Sequence, residues 1–286
     1  MKTYLDCIPC FIRQTIEALR FVTDDPRLQE KIIKEILIET SQLDLRQSPP
    51  YMAHRIHEFI RNFTGIKDPY KEVKERFNRA ALEMYPKLKE IVKNSPDPIE
   101  KAIKISIAGN IIDFGVTADI DEKMVEKTLE SCLKQELPAD NLQKFKESIS
   151  KAERILFLGD NAGEIVFDRV LLEEMPLEKI VYAVKGAPII NDATLEDAET
   201  VGLTDIVRVI SNGTDAPGTI LELCSDDFLR EFSKADLVIA KGQANYETLS
   251  EVKDKEIFFL LKVKCPVLAA DLGCETGEII VKNNRG

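Results

Sequence analysis

The sequence has no tryptophan and only two histidines, His54 and His57, in 286 residues. Any chemistry therefore falls mainly to carboxylates, amides, lysines, cysteines or a bound metal. No apolar run approaches the ~18 residues of a membrane span. The opening MKTYLDCIPCFIRQ lacks the apolar segment of a signal peptide, so a cytoplasmic protein is expected. Basic character is lacking too. The net charge is −11, which argues against nucleic-acid binding. Most of the acidic excess lies after residue 150, where 25 Asp and Glu meet 15 Lys and Arg. The bulk of it reads as solvated surface, and a few of those carboxylates could serve a hard cation. With 44% apolar and 31% charged residues, the chain has enough to bury a sizeable core, in one large domain or two smaller ones.

Residues 1–150 carry near-3.6 periodicity and read as a helical part with a soft boundary. Asp25 is expected to cap a helix with Pro26 at its first position, and Gly65 to stop the next. A long amphipathic stretch from Asp68 to Asn94 reads as interrupted at Pro86. Residues 100–150 could cover a sheet face rather than stand apart. After residue 150 the rhythm changes. RILFLG, KIVYAV, DIVRVI, DLVIAK and EIFFLL are short apolar runs separated by amphipathic segments such as EIVFDRVLLEEM. This alternation predicts a mostly parallel, doubly wound sheet in a three-layer αβα core over 151–286. CPVLAADLGCETGEIIVKN is expected to add one or two edge strands.

Ligands of such a sheet bind beyond the carboxyl ends of its strands. Those ends read GDNAGE, KGAPIINDAT, SNGTDAPGT and KGQANYE. Where a dinucleotide fold needs G-x-G-x-x-G, Gly159 is followed by Asp160 and Asn161, and no Walker A sequence occurs, so nucleotide binding is disfavoured. Asp160, Asn161 and Asp192 offer carboxylate and amide oxygens of the kind Mg²⁺ or Mn²⁺ takes. A turn at Asp160–Asn161 and a helix cap at Asp192 are the competing readings. For phosphate, the helix starting near Gly163 points its N-terminus at the same rim, with Gly163 letting it start close to the anion. Ser211, Asn212, Gly213 and Thr214 could donate hydrogen bonds, and Lys241 could supply a cation. Gly242 beside it would allow close backbone approach.

DNAGE, INDAT, KGQANYE and the upstream GNIID, in this order, resemble the damage-control phosphatases once grouped as domain of unknown function 89. The resemblance runs from Cys7-x-x-Cys10 to LLKVKCPVLA. It implies helices packed on an αβα core and a phosphatase dependent on Mn²⁺, Co²⁺, Ni²⁺ or Mg²⁺ that acts on small esters such as sugar phosphates. By motif, Asp160, Asn161 and Asp192 fall on the metal ligands and Lys241 on the phosphate-holding lysine. Asn110 falls on a position that the helical part presents to the site. Glu164 and Asp113 are candidates for orienting water or protonating the leaving group. Both water and a carboxylate remain open as attacking group. The Arg-Thr-x-Lys motif of the eukaryotic subgroup is absent, so the chain looks like the Cys-x-x-Cys-bearing prokaryotic subgroup and the eukaryotic substrates do not transfer.

Cys7 and Cys10 fit half a zinc site or a redox pair, completed only if the fold brings Cys265 and Cys274 to them; thiols buried near a helix start are the plainer reading. His54 and His57 lie at i, i+3 without a metalloprotease motif and read as surface or packing residues. The expected partner is a small phosphorylated metabolite, with neither nucleic acid nor membrane; nothing sets the oligomeric state. The alternatives to a phosphatase are a non-catalytic metal or phosphometabolite binder and a methyltransferase on the same fold. A haloacid-dehalogenase phosphatase is disfavoured, since the first strand ends Asp160-Asn161-Ala162 rather than in Asp-x-Asp.

Overall fold

The computed structural model describes residues 1–110 and 122–285. Six strands form one sheet: β1 Ile155–Leu158, β2 Ile180–Val184, β3 Arg208–Ser211, β4 Leu237–Lys241, β5 Glu256–Lys262 and β6 Ile279–Asn283. Their spatial order is β3-β2-β1-β4-β5-β6, with β6 antiparallel to β5 and the rest parallel. The five predicted strands are all present. The final segment gives one edge strand, and its other half forms a helix, Pro266–Leu272.

Strand periodicity assigns the two faces. Ile155, Phe157, Tyr182 and Ile239 join one apolar layer, and Leu156, Leu158, Val238 and Phe259 join the other. Burial on both sides explains why the runs are continuously apolar rather than alternating. The first layer is covered by α4 Lys71–Lys93, α5 Pro98–Gly109, α6 Glu122–Lys134, α7 Ala139–Lys151 and α8 Glu164–Leu172. The second is covered by α10 Asp226–Lys234, α11 Gly242–Leu249 and α12 Pro266–Leu272. The short α9, Leu195–Thr200, follows β2. Three earlier helices, α1 Ile8–Val22, α2 Pro26–Ser41 and α3 Pro49–Thr64, share a separate cluster around Phe11, Ile36 and Met52. Thus α4 through α7 share the sheet's core, and the apolar cluster separate from it lies in α1–α3.

Local chemistry accounts for the helix ends. The Asp25 carboxylate accepts from the Arg27 amide, and Gly65 closes α3 in the left-handed region at φ 74°. The expected break at Pro86 does not occur: α4 runs unbroken from Lys71 to Lys93. Pro86 is exposed, while Leu88 and Val92 stay anchored in the core. Helix α7 adds to the elements expected from the sequence; it buries Leu142, Phe145 and Ile149, with Phe145 edge-on to Phe258 at 5.2 Å. Among the described residues no helix is long and apolar enough to cross a membrane.

Candidate functional site

Sheet order reverses between β1 and β4, and these two adjacent strands deliver Asp160 and Lys241 to the same crevice. The chain leaves β1 through Gly159 and enters α8 at Glu164. In this passage Asn161 pairs with Asp192 in a short antiparallel bridge, and the Ala193 amide donates to the Asp160 carbonyl at 2.8 Å. The loop after β2 is thereby tied to the loop after β1, which brings Asp192 beside Asp160. Asp192 is not a helix cap. That task falls to Thr194, in a reciprocal pair with Asp197. Two residues before Asp192, Ile190 has φ 46°, a strained backbone for a β-branched residue.

The amides of Asn110 and Asn161 meet the same two oxygens. Asn110 Nδ2 donates to Asp160 Oδ2 at 2.6 Å and to Glu164 Oε2 at 2.7 Å. Asn161 Nδ2 donates to Asp160 Oδ2 at 3.0 Å and to Glu164 Oε2 at 2.9 Å. Two carboxylate oxygens and two amide nitrogens thus form a closed square. Turning either amide over would set its carbonyl against carboxylate oxygens, so the square fixes both orientations. Asn110 Oδ1 is left buried without a hydrogen-bond partner, as is Asp192 Oδ2. Buried oxygens are rarely left so, and two of them beside an acid pair make a cation-seeking environment.

Gly242 is what lets this cluster close. It holds φ +78°, and a Cβ there would lie 1.9 Å from Asp160 Oδ2. Gly242 therefore admits the Asp160 carboxylate, more than the backbone approach expected of it.

Lys241 lies beneath the square. It is fully buried; Nζ donates to Glu164 Oε1 at 2.7 Å, to the Ser106 carbonyl at 3.0 Å, and to Asp168 Oδ1. All three of its N–H groups are thus engaged within the protein, so as placed it has no donor to offer a phosphate. Burial alone would discharge this lysine, but Asp168 and Glu164 outweigh it and hold the ammonium above its ordinary pKa. Asp168 also accepts from Ser106 Oγ at 2.6 Å and Tyr182 Oη at 2.7 Å.

The cluster carries more acid than base. Burial, then Glu164 and Asp192, push the Asp160 carboxyl up to about 8. Burial raises Asp192 to about 6 against the pull of Lys185, whose Nζ lies 3.4 Å from Asp192 Oδ2. No three His, Cys, Asp or Glu among the described residues are arranged as a metal cage. The oxygen set at the rim is instead two carboxylates with amides, a hard-cation set. The same finding groups no third ligand with Cys7 and Cys10 among the described residues. Both are half-buried, and burial raises the Cys7 thiol.

The backbone N–H groups of Gly163, Gly213 and Thr214, among the expected phosphate donors, have acceptors within the protein. Gly163, at φ +76°, gives its N–H to Asn78 Oδ1 at 2.7 Å, and the Asn161 and Ala162 amides go to Glu164 Oε2 and the Asn191 carbonyl. The amides leading into α8 are therefore taken by protein acceptors. Asn212 Oδ1 binds the Gly186 and Thr214 amides, and Ser211 Oγ binds the Gly213 amide, so that loop is tied to itself and to β2's end. Asp113 lies outside the described residues.

Two lysines absent from the sequence-based candidates stand at the rim. Lys185 ends β2's run, and Lys264 follows β5. Lys264 is exposed, donates to the Asn110 carbonyl at 2.8 Å and lies close enough to favour an ionised Asp160. The strand-end rule that finds Asp160 would find Lys264 if carried to the fifth strand. Asp168 has no such signal. His57 is buried in α3, and His54 faces Asp215 across 3.5 Å.

An open αβα sheet with a buried acid–amide cluster at its switch point places this chain in the doubly wound class. Comparison with known proteins narrows this. The damage-control phosphatase ARMT1-like domain matches residues 3–280, and the chain belongs to that family. An uncharacterized protein of Methanocaldococcus jannaschii is 40% identical over 98% of this chain and 95% of its own. A damage-control phosphatase of Archaeoglobus fulgidus is 37% identical over 99% of each. The crystal structure of a DUF89 family protein from Pyrococcus horikoshii superposes with a TM-score of 0.88 at 35% identity, covering 99% of each chain.

Proposed function

We propose that this protein is a metal-dependent phosphatase that hydrolyses small phosphate esters such as sugar phosphates, in a metabolite damage-control role. The observation that carries the reading is the switch-point cluster: Asp160 and Asp192 are buried together, Asn110 Oδ1 has no hydrogen-bond partner, and Asp192 Oδ2 meets only the Lys185 ammonium at 3.4 Å. Asp160, Asn161 and Asp192 would hold a divalent cation, Mn²⁺, Co²⁺, Ni²⁺ or Mg²⁺. Such an ion supplies Lewis acidity and neutralises charge on the phosphoryl oxygens.

The chain's own residues do the rest. Lys264, exposed at the rim, offers ammonium hydrogens to a phosphate oxygen that approaches Asp160. Lys185 balances Asp192 from the other side. Glu164, Lys241 and Asp168 hold the cluster's shape from below. The names of the archaeal relatives and the family match favour phosphate-ester hydrolysis over the methyltransferase alternative.

The test is phosphate release from a panel of sugar phosphates, with Mn²⁺, Co²⁺, Ni²⁺ or Mg²⁺ and with a chelator. Metal-stimulated release that Asp160→Ala abolishes in a folded protein supports the reading. Metal binding without turnover of any ester would favour a non-catalytic binder. Full activity of Asp160→Ala would remove Asp160 from the site.

A further inference from the structure

Four hydrogen bonds join Asn110 and Asn161 to one oxygen of Asp160 and one of Glu164. Asp160 is an expected cation ligand, so it cannot by itself be what keeps the amides in place once its charge is shared. Glu164 is different. Its Oε2 also takes the Asn161 backbone amide at 3.2 Å, and its Oε1 takes Lys241 at 2.7 Å. Lys241 is pinned in turn by Asp168 and by the Ser106 carbonyl. Every hydrogen bond of Glu164 named here is thus with a donor, and the residue is fully buried.

We infer that Glu164 is a positioning residue that fixes both asparagines so that their carbonyl oxygens, not their amide nitrogens, face the cation. The inference rests on the metal-dependent reading above. It gives Asn110 Oδ1, buried and unpartnered, a place beside Asn161 as an oxygen donor. It also explains a carboxylate in the first turn of α8, where hydrogen bonding to two side-chain amides fixes it as much as the helix N-terminus does.

The substitution Glu164→Gln exposes the role. A glutamine side chain ends in one carbonyl acceptor and one NH₂ donor group. With its oxygen on Lys241, its NH₂ confronts two asparagine NH₂ groups; reversed, its NH₂ confronts the ammonium. In the first orientation the asparagine amides must turn over; in the second the Lys241 contact is lost.

The experiment is calorimetric titration of chelator-treated protein with Mn²⁺ alone, without substrate. Loss of an outer hydrogen-bonding partner weakens metal binding about 10- to 100-fold, and Glu164→Gln is expected in that range. Thermal melting in chelator checks folding. Should Glu164→Gln fail to fold, Glu164→Asp replaces it, keeping the charge near Lys241 while withdrawing the acceptor from the amides, with the same weakening expected. Wild-type affinity in the folded variant overturns the inference and leaves the metal reading standing. A wild-type protein that takes up no Mn²⁺ removes both.

Discussion

Replacing Asp160 by Asn should make the metal-free protein more stable while it removes the proposed function. Asp160 is buried beside Glu164 and Asp192, and its carboxyl is raised from 3.8 to about 8. A group with a raised folded pKa contributes fully below its unfolded value, and that contribution is lost as pH rises through the folded value. At about 1.36 kcal/mol per unit, keeping this carboxyl folded at pH 7 costs on the order of 4 kcal/mol, and at pH 5 about 2 kcal/mol. Asparagine carries no such cost, and its carbonyl can still accept from the amides of Asn110 and Asn161. Asp160→Asn should therefore be more stable than wild type in chelator, and the gain should shrink from pH 7 to pH 5. Urea denaturation followed by circular dichroism at both pH values measures this. A variant less stable than wild type at pH 7, or a gain independent of pH, would refute the electrostatic reasoning.

Gly242→Ala places a Cβ 1.9 Å from Asp160 Oδ2 at a positive φ; we expect a loss of about 1–3 kcal/mol and weaker Mn²⁺ binding, read by melting and calorimetry. Lys241→Met strands two buried carboxylates, and should cost about 3–5 kcal/mol in urea titration; a neutral result would mean that the ion pairs are not formed in solution. His57 is held down to about 4 by burial, Arg61 and His54. Its folded pKa is below the unfolded 6.5, so stability should fall by up to about 3 kcal/mol as pH drops from 6.5 to 4. Proton NMR of the His57 ring, still neutral at pH 5, checks the shift.

The parallel sheet is legible because strands buried on both faces must be apolar throughout, and the helices between them are not. Asp160 and Asn161 are legible for a related reason: polar residues directly after an apolar strand stand where ligands bind. Asp192 is ambiguous until Thr194 takes the helix cap. What sequence does not show is where side chains end. Lys241 sits at a strand end in sequence and structure alike, yet its ammonium turns inward, because Asp168 and Glu164 on α8 give it partners. Asp168 itself lies in EIVFDRVLL, where one acid among apolar residues looks like a solvent-facing position. Helix α8 is covered nearly all round, so that acid has to be paired inside. The Gly163 turn looks open to an anion in sequence because Asn78, 85 positions earlier, supplies the acceptor that closes it.

One divalent cation is proposed to sit among Asp160, Asn161 and Asp192. Crystals soaked in Mn²⁺ and examined for anomalous scattering test it most directly. A single strong peak is expected within coordination distance of those three side chains. A peak elsewhere, or none at that position in crystals that hold Mn²⁺, would contradict it.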